Sequence, residues 1–189
     1  MLIKTFASAV YGISATTIRI EVHVFEGLGY NLVGLPDNAV KESQQRIISS
    51  FSKIGMKWPG HKVVINLAPA DIRKEGSAFD LPLAVGILAA NEKIYPDMIE
   101  DFIIMGELSL DGSLQPVKGV LPMTIQAKKE GFKGIILPKM NAQEAGVVDG
   151  FDKMASKNDI DFEDVINGYN TSQIAPESLA VTWKRKALY

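Results

Sequence analysis

The stretch Asp71-Ile72-Arg73-Lys74-Glu75-Gly76-Ser77-Ala78-Phe79-Asp80-Leu81-Pro82-Leu83-Ala84-Val85-Gly86-Ile87-Leu88-Ala89-Ala90 runs a charged glycine loop straight into an apolar segment. From Phe79 to Ala90 no polar face is left for water, so a helix made from it must be covered on every side and is the central helix of its domain. Asp80 is placed to cap that helix by accepting its first backbone N–H groups. Pro82 is tolerated in the first turn, where the N–H it lacks would have had no partner. The loop before it therefore holds polar groups at the mouth of a core.

Outward from this helix the chain alternates strands and helices. Ile18, Ile20, Val22 and Val24 fall on one face of a strand, with Arg19, Glu21 and His23 on the other. Asp37 can cap a helix running to about Ile54, with Val40, Ile47, Phe51 and Ile54 on one stripe, Lys41, Glu42, Gln45 and Arg46 pointing away, and Gly55 ending it. Strands are expected at Lys62 to Leu67, Phe102 to Gly106 and Ile135 to Leu137, and helices at Gly119 to Glu130, Ala142 to Val148 and Phe162 to Gly168. An opening run of strands followed by this alternation predicts a two-layer α/β domain over residues 1–169. Residues 170–189 show no period and read as a tail or the start of a linker. Its Trp183-Lys184-Arg185-Lys186 cluster could meet nucleic acid by charge and stacking, although such a terminus is more often untethered.

Composition narrows the classes of function. With 47% hydrophobic and 22% charged residues the chain reads as a globular protein, and no apolar run approaches the ~20 residues of a membrane span. The opening Met1-Leu2-Ile3-Lys4 lacks a signal-peptide core, so a cytoplasmic location is expected. The absence of cysteine excludes disulfides, thiol nucleophiles and thiolate metal sites. His23 and His61 stand apart and read as strand residues rather than metal ligands. A net charge of -2 gives no general attraction for nucleic acid, so weak, salt-sensitive duplex DNA binding is expected.

The loop resembles the Lys-Asp-Gly-Pro-Ser-Ala-Gly loop of the Lon protease domain. It is still more similar to the Lys-Glu-Gly-Ser-x-Phe-Asp-Leu-Pro loop of ComM/YifB proteins, often labelled magnesium chelatase-like. Met105-Gly106-Glu107 through Pro116-Val117-Lys118-Gly119-Val120, then Gly131-Phe132-Lys133-Gly134-Ile135-Ile136-Leu137-Pro138, follow in the Lon-like order. The opening block, Thr5 to Gly12 and Val33 to Asp37, resembles the start of the ComM/YifB family. The resemblance implies the ribosomal protein S5 domain 2-like fold.

It also implies where a protease site would lie. Laying Lys74-Glu75-Gly76 on the Lon loop puts Ala78 at the nucleophilic serine, and laying Pro116 to Val120 on the second block puts Leu121 at the activating lysine. A serine hydroxyl needs a base within hydrogen-bond reach, and a methyl and an isobutyl group supply neither partner. Slipping the alignment by one residue makes Ser77 a nucleophile with Lys74, Lys118 or Lys128 as base, which is the competing peptidase reading. Otherwise Ser77 is a loop hydroxyl bonding near the helix start. Arg73, Lys74, Ser77, Asp80 and Lys118 are the candidate loop contacts.

In ComM/YifB proteins such a domain precedes an AAA+ ATPase module with ATP and magnesium. The parent implied is a homohexameric motor acting on branched DNA in recombination, with the AAA+ module of the same chain as this domain's partner. The nearest phosphate-loop decoy here is Gly55-Met56-Lys57-Trp58-Pro59-Gly60-His61-Lys62, with histidine where the lysine is needed and no final hydroxyl. The reading is a non-catalytic Lon-like domain without a cofactor or metal of its own, helping to assemble the ring or guide DNA. A free-standing interaction module is the third reading.

Overall fold

The computed structural model describes residues 1–96, 99–148 and 181–182. Strand β1 (Leu2–Tyr11) and strand β2 (Ser14–Phe25) form a long antiparallel hairpin, closed at a turn where Gly12 takes φ 61°. Strand β3 (Tyr30–Val33), helix α1 (Asn38–Lys53), strand β4 (Lys62–Ala68), helix α2 (Asp80–Ala90) and strand β5 (Phe102–Ile104) follow. Then come the short pair β6 (Glu107–Leu108) and β7 (Leu114–Gln115), helix α3 (Val120–Glu130), strand β8 (Gly134–Ile136) and the short helix α4 (Ala142–Ala145). The main sheet runs β3-β4-β2-β1-β5-β8, and strand β9 (Val181–Thr182) adds to β8 antiparallel. Residues 170–189 were expected to form no element. Within them Val181–Thr182 pairs with Gly134 and Ile135, whereas the Trp183–Lys186 cluster and the expected helix at 162–168 lie outside the described residues.

All eleven residues of α2 are buried, as its missing polar face requires. It lies on the sheet face carrying Thr5 and Val22: the Thr5 hydroxyl donates to the Pro82 carbonyl at 3.2 Å, and a Cβ on Gly86 would come within 2.8 Å of Val22. Helix α1 packs beside it through Val40, Ile47 and Phe51, and Asp37 caps α1 by accepting the Val40 N–H at 2.8 Å.

Helix α3 departs from the expected two layers by covering part of the opposite face. Phe6 meets Phe132 edge-on at 5.3 Å, the Thr17 hydroxyl donates to Glu130 at 2.6 Å, and Gly119 lies against Val10. Each of these β1 and β2 residues alternates with the ones facing α2, so α3 must lie across the sheet from it. His23 lies in β2 as expected, but His61 sits in the turn just before β4.

Candidate functional site

A cleft of about 780 Å³ opens where the ends of β1 and β5 diverge. Its cause is a competition for hydrogen bonds. Beyond Ile104, β5 stops pairing with β1, because the Gly106 N–H donates to Ala78 at 2.9 Å and the Gly106 carbonyl accepts from Leu81 at 3.0 Å. The chain that would have continued the sheet is thereby pulled to the entrance of α2. Gly106 suits this approach, since a Cβ there would lie 3.0 Å from the Leu81 side chain.

The loop at Arg73–Ser77 forms one wall and is held from several sides. One Asp37 oxygen caps α1 while the other accepts the Gly76 N–H at 3.0 Å. Gly76 takes φ 84°, a conformation that favours glycine. The Tyr11 hydroxyl donates to the Arg73 carbonyl, and Arg73 pairs with Glu75 at 3.1 Å on the exposed rim. Ser77, half-buried, donates its hydroxyl to Glu107. The segment Pro116–Gly119 and Met123 form the opposite wall.

Two of the candidate loop contacts are structural. Lys74 is fully buried, and its ammonium donates to the Gly34 carbonyl at 2.8 Å and to the Pro69 carbonyl. Burial lowers its pKa, yet its protons are turned onto carbonyls away from the cleft, so it is neither a contact nor a base for Ser77. Asp80 is not the N-cap of α2. The Ser77–Phe79 turn already curves the chain, leaving Asp80 as the first helical residue without a capping bond. Its buried carboxylate instead accepts from Arg46 at 2.6 and 3.0 Å and from the Leu108 N–H at 3.1 Å. Burial pushes the Asp80 pKa up, against the pull of Arg46 and the Leu108 N–H. Arg46, expected to point into solvent, is thus turned inward and also donates to the Ala39 carbonyl at 2.7 Å.

Ala78 and Lys118 both line the cleft, so the two sequence blocks do face one another. Leu121 is not among the lining residues. It is 37% exposed, and its N–H donates to Glu144 on α4 at 3.0 Å. Lys128 lies in the last turn of α3, at the end remote from the cleft-lining Gly119. Sequence reasoning missed Ser8, Glu107 and Arg46 as parts of this region. Glu107 lay inside the second block, but nothing in its spacing tied it to Ser77.

The phosphate-loop decoy does not fit a nucleotide. Gly55–Lys62 connects α1 to β4, and the residue after His61 opens a strand, so no helix N-terminus faces a phosphate. Among the described residues no group of three His, Asp or Glu side chains is placed to hold a metal ion, and no helix is long and apolar enough to cross a membrane.

The family described as ChlI, subunit ChlI of Mg-chelatase, matches residues 20–141. Competence protein ComM of Haemophilus influenzae is 38% identical over 91% of this chain and 34% of its own length. The uncharacterized protein YifB of Escherichia coli is 41% identical over 75% of this chain and 28% of its own length. Lon protease 2 of Bacillus subtilis is 32% identical over 67% of this chain and 22% of its own length. The chain thus spans about a third or less of these curated relatives.

Proposed function

The chain belongs to the family of the Mg-chelatase subunit ChlI, and from that premise we propose that it is the non-catalytic N-terminal domain of a ComM/YifB-type AAA+ ATPase. Its fold in this reading is the ribosomal protein S5 domain 2-like fold, with residues 1–169 as its body and Val181–Thr182 adding an edge strand to β8. The parent is a homohexameric motor acting on branched DNA in recombination, and supplies ATP and magnesium sites from its ATPase module. This domain supports the ring or guides DNA from the cytoplasm, and binds DNA only weakly by itself.

The observation that carries the non-catalytic part is the methyl group of Ala78 in the cleft wall facing Lys118 and Gly119. A nucleophile is absent from that position, and the neighbouring Ser77 hydroxyl is engaged by a carboxylate rather than an amine. Incubation with unfolded protein should give no hydrolysis, and a serine-directed acylating reagent should give no adduct. Labelling of Ser77 that Ser77→Ala abolishes would replace this reading with that of a displaced Ser/Lys peptidase. The parent is tested separately, by reading the gene beyond Tyr189. A Gly-x-x-x-x-Gly-Lys-Ser/Thr loop opening a helix is expected there, and a frame that ends without one would overturn the assignment.

A further inference from the structure

Strand β1 is ten residues long and pairs with β2 along its whole length, but on its other side it meets β5 only at Phe6. Met1 and Val24 exchange both of their backbone hydrogen bonds, so the odd-numbered residues of β1 bond to β2 and the even-numbered ones face the other way. Ser8 and Val10 therefore turn their backbone groups toward the cleft. The Ser8 N–H points at the Met105 sulfur, at 3.2 Å. Beyond Phe6 the edge forms no further bridge to β5, and no turn or loop bond among the described residues reaches the Ser8 carbonyl or either backbone group of Val10.

A second observation points the same way. Ser8 is 3% exposed, lines the cleft, and its hydroxyl has no partner. A buried hydroxyl left unpaired costs about 1–3 kcal/mol, and a ligand group reaching it would recover that. The charges are mostly spent: Asp37 holds Val40 and Gly76, Arg73 and Glu75 pair with one another, and Glu107 accepts from Ser77. Lys118 is the exposed lining charge without a partner among the described residues. With Asp37, Glu75 and Glu107 each engaged within the protein, Lys118 is left to set the preference for an acidic group.

We propose that the open edge of β1 at Ser8–Val10 takes up an extended polypeptide segment as an added strand, with an acidic side chain of that segment meeting Lys118. Main-chain hydrogen bonds to an exposed strand edge give such binding its affinity, and the side chains flanking the edge give it selectivity. The cleft volume suits a few residues of extended chain. Retention without cleavage rests on the non-catalytic reading above, whereas the binding itself does not.

The test uses the full chain with reduced, carboxymethylated α-lactalbumin, an acidic polypeptide that stays unfolded. Saturable binding is expected to slow hydrogen exchange at the Val10 amide by ~10-fold or more, because that N–H gains a partner, while the Ala9 and Tyr11 amides, already bonded to β2, change little. Ser8→Ala should weaken binding about 5-fold without lowering the melting temperature, since it removes an orphan hydroxyl and no native bond. Lys118→Glu should weaken it by a similar factor. No binding, protection elsewhere without Val10, or displacement of the probe by a short DNA duplex would overturn the proposal. Cleavage of a bound probe would refute the non-catalytic reading and leave the added strand standing.

Discussion

Replacing Gly34 by alanine is expected to cost at least ~4 kcal/mol and to leave little folded protein at moderate denaturant. Gly34 takes φ 100°, and a Cβ built there would lie 2.1 Å from the Leu67 carbonyl oxygen and 2.9 Å from the Leu67 nitrogen. Those atoms belong to the backbone of β4, which is locked between β2 and β3 and cannot withdraw. The same glycine supplies the carbonyl that accepts from the buried Lys74 ammonium. Displacing it would leave a buried cation short of an acceptor, a second and separate penalty. Gly55→Ala is the control, because Gly55 also has a positive φ, 73°, but nothing within 4 Å of the added Cβ. It should cost only ~1 kcal/mol in urea titrations. Equal losses for the two variants would refute the close-approach argument.

The Gly34–Lys74 knot also shows where sequence reading stops. Elements whose causes are local were legible: Asp37 caps α1, α3 lies between Gly119 and Gly131 in left-handed conformations, and the faceless α2 is wholly buried. A lysine beside Glu75 and Gly76 looks like a surface contact until the chain brings the carbonyls of Gly34 and Pro69 around it. That is a long-range event with no signature in spacing. The same holds for β5, which reads as a strand to Gly106. Only the bonds from Gly106 to Ala78 and Leu81 show why pairing stops at Ile104 and a cleft begins. The short strand β3 and the pair β6–β7 offer too few residues for a period to emerge.

The site was legible as a neighbourhood more than as a set of side chains. Aligned glycines placed the Ala78 loop opposite the Lys118 turn, and the cleft does join them. Leu121, the other aligned position, lies outside the lining, and its N–H is held by Glu144. Asp80 escaped for an electrostatic reason. An aspartate at a helix start is usually a cap, but here it is fully buried, and a buried carboxylate needs a cation more than it needs an N–H.

That need gives the other large effect. Arg46→Met should destabilise the protein by ~3 kcal/mol at pH 7, because the methionine fills the space of the stem but leaves the Asp80 carboxylate buried with the Leu108 N–H as its remaining partner in the bond network. The loss should shrink on acidification, and the sign follows from the shift at Asp80. Burial raises its folded pKa above the ordinary carboxylate value, so the native state holds the proton over a range in which the unfolded state has released it. This group therefore favours folding below that range, and its contribution falls as pH rises from the unfolded pKa through the folded one. Arg46 is the largest of the influences holding the folded value down, so removing it carries the upper end of the window toward neutrality. Denaturation of the variant and the parent chain, compared at pH 7 and pH 5, should show a smaller difference at pH 5. A difference that is unchanged, or larger in acid, would mean that Asp80 does not carry the penalty and that Arg46 acts through its packing and its bond to Ala39 instead.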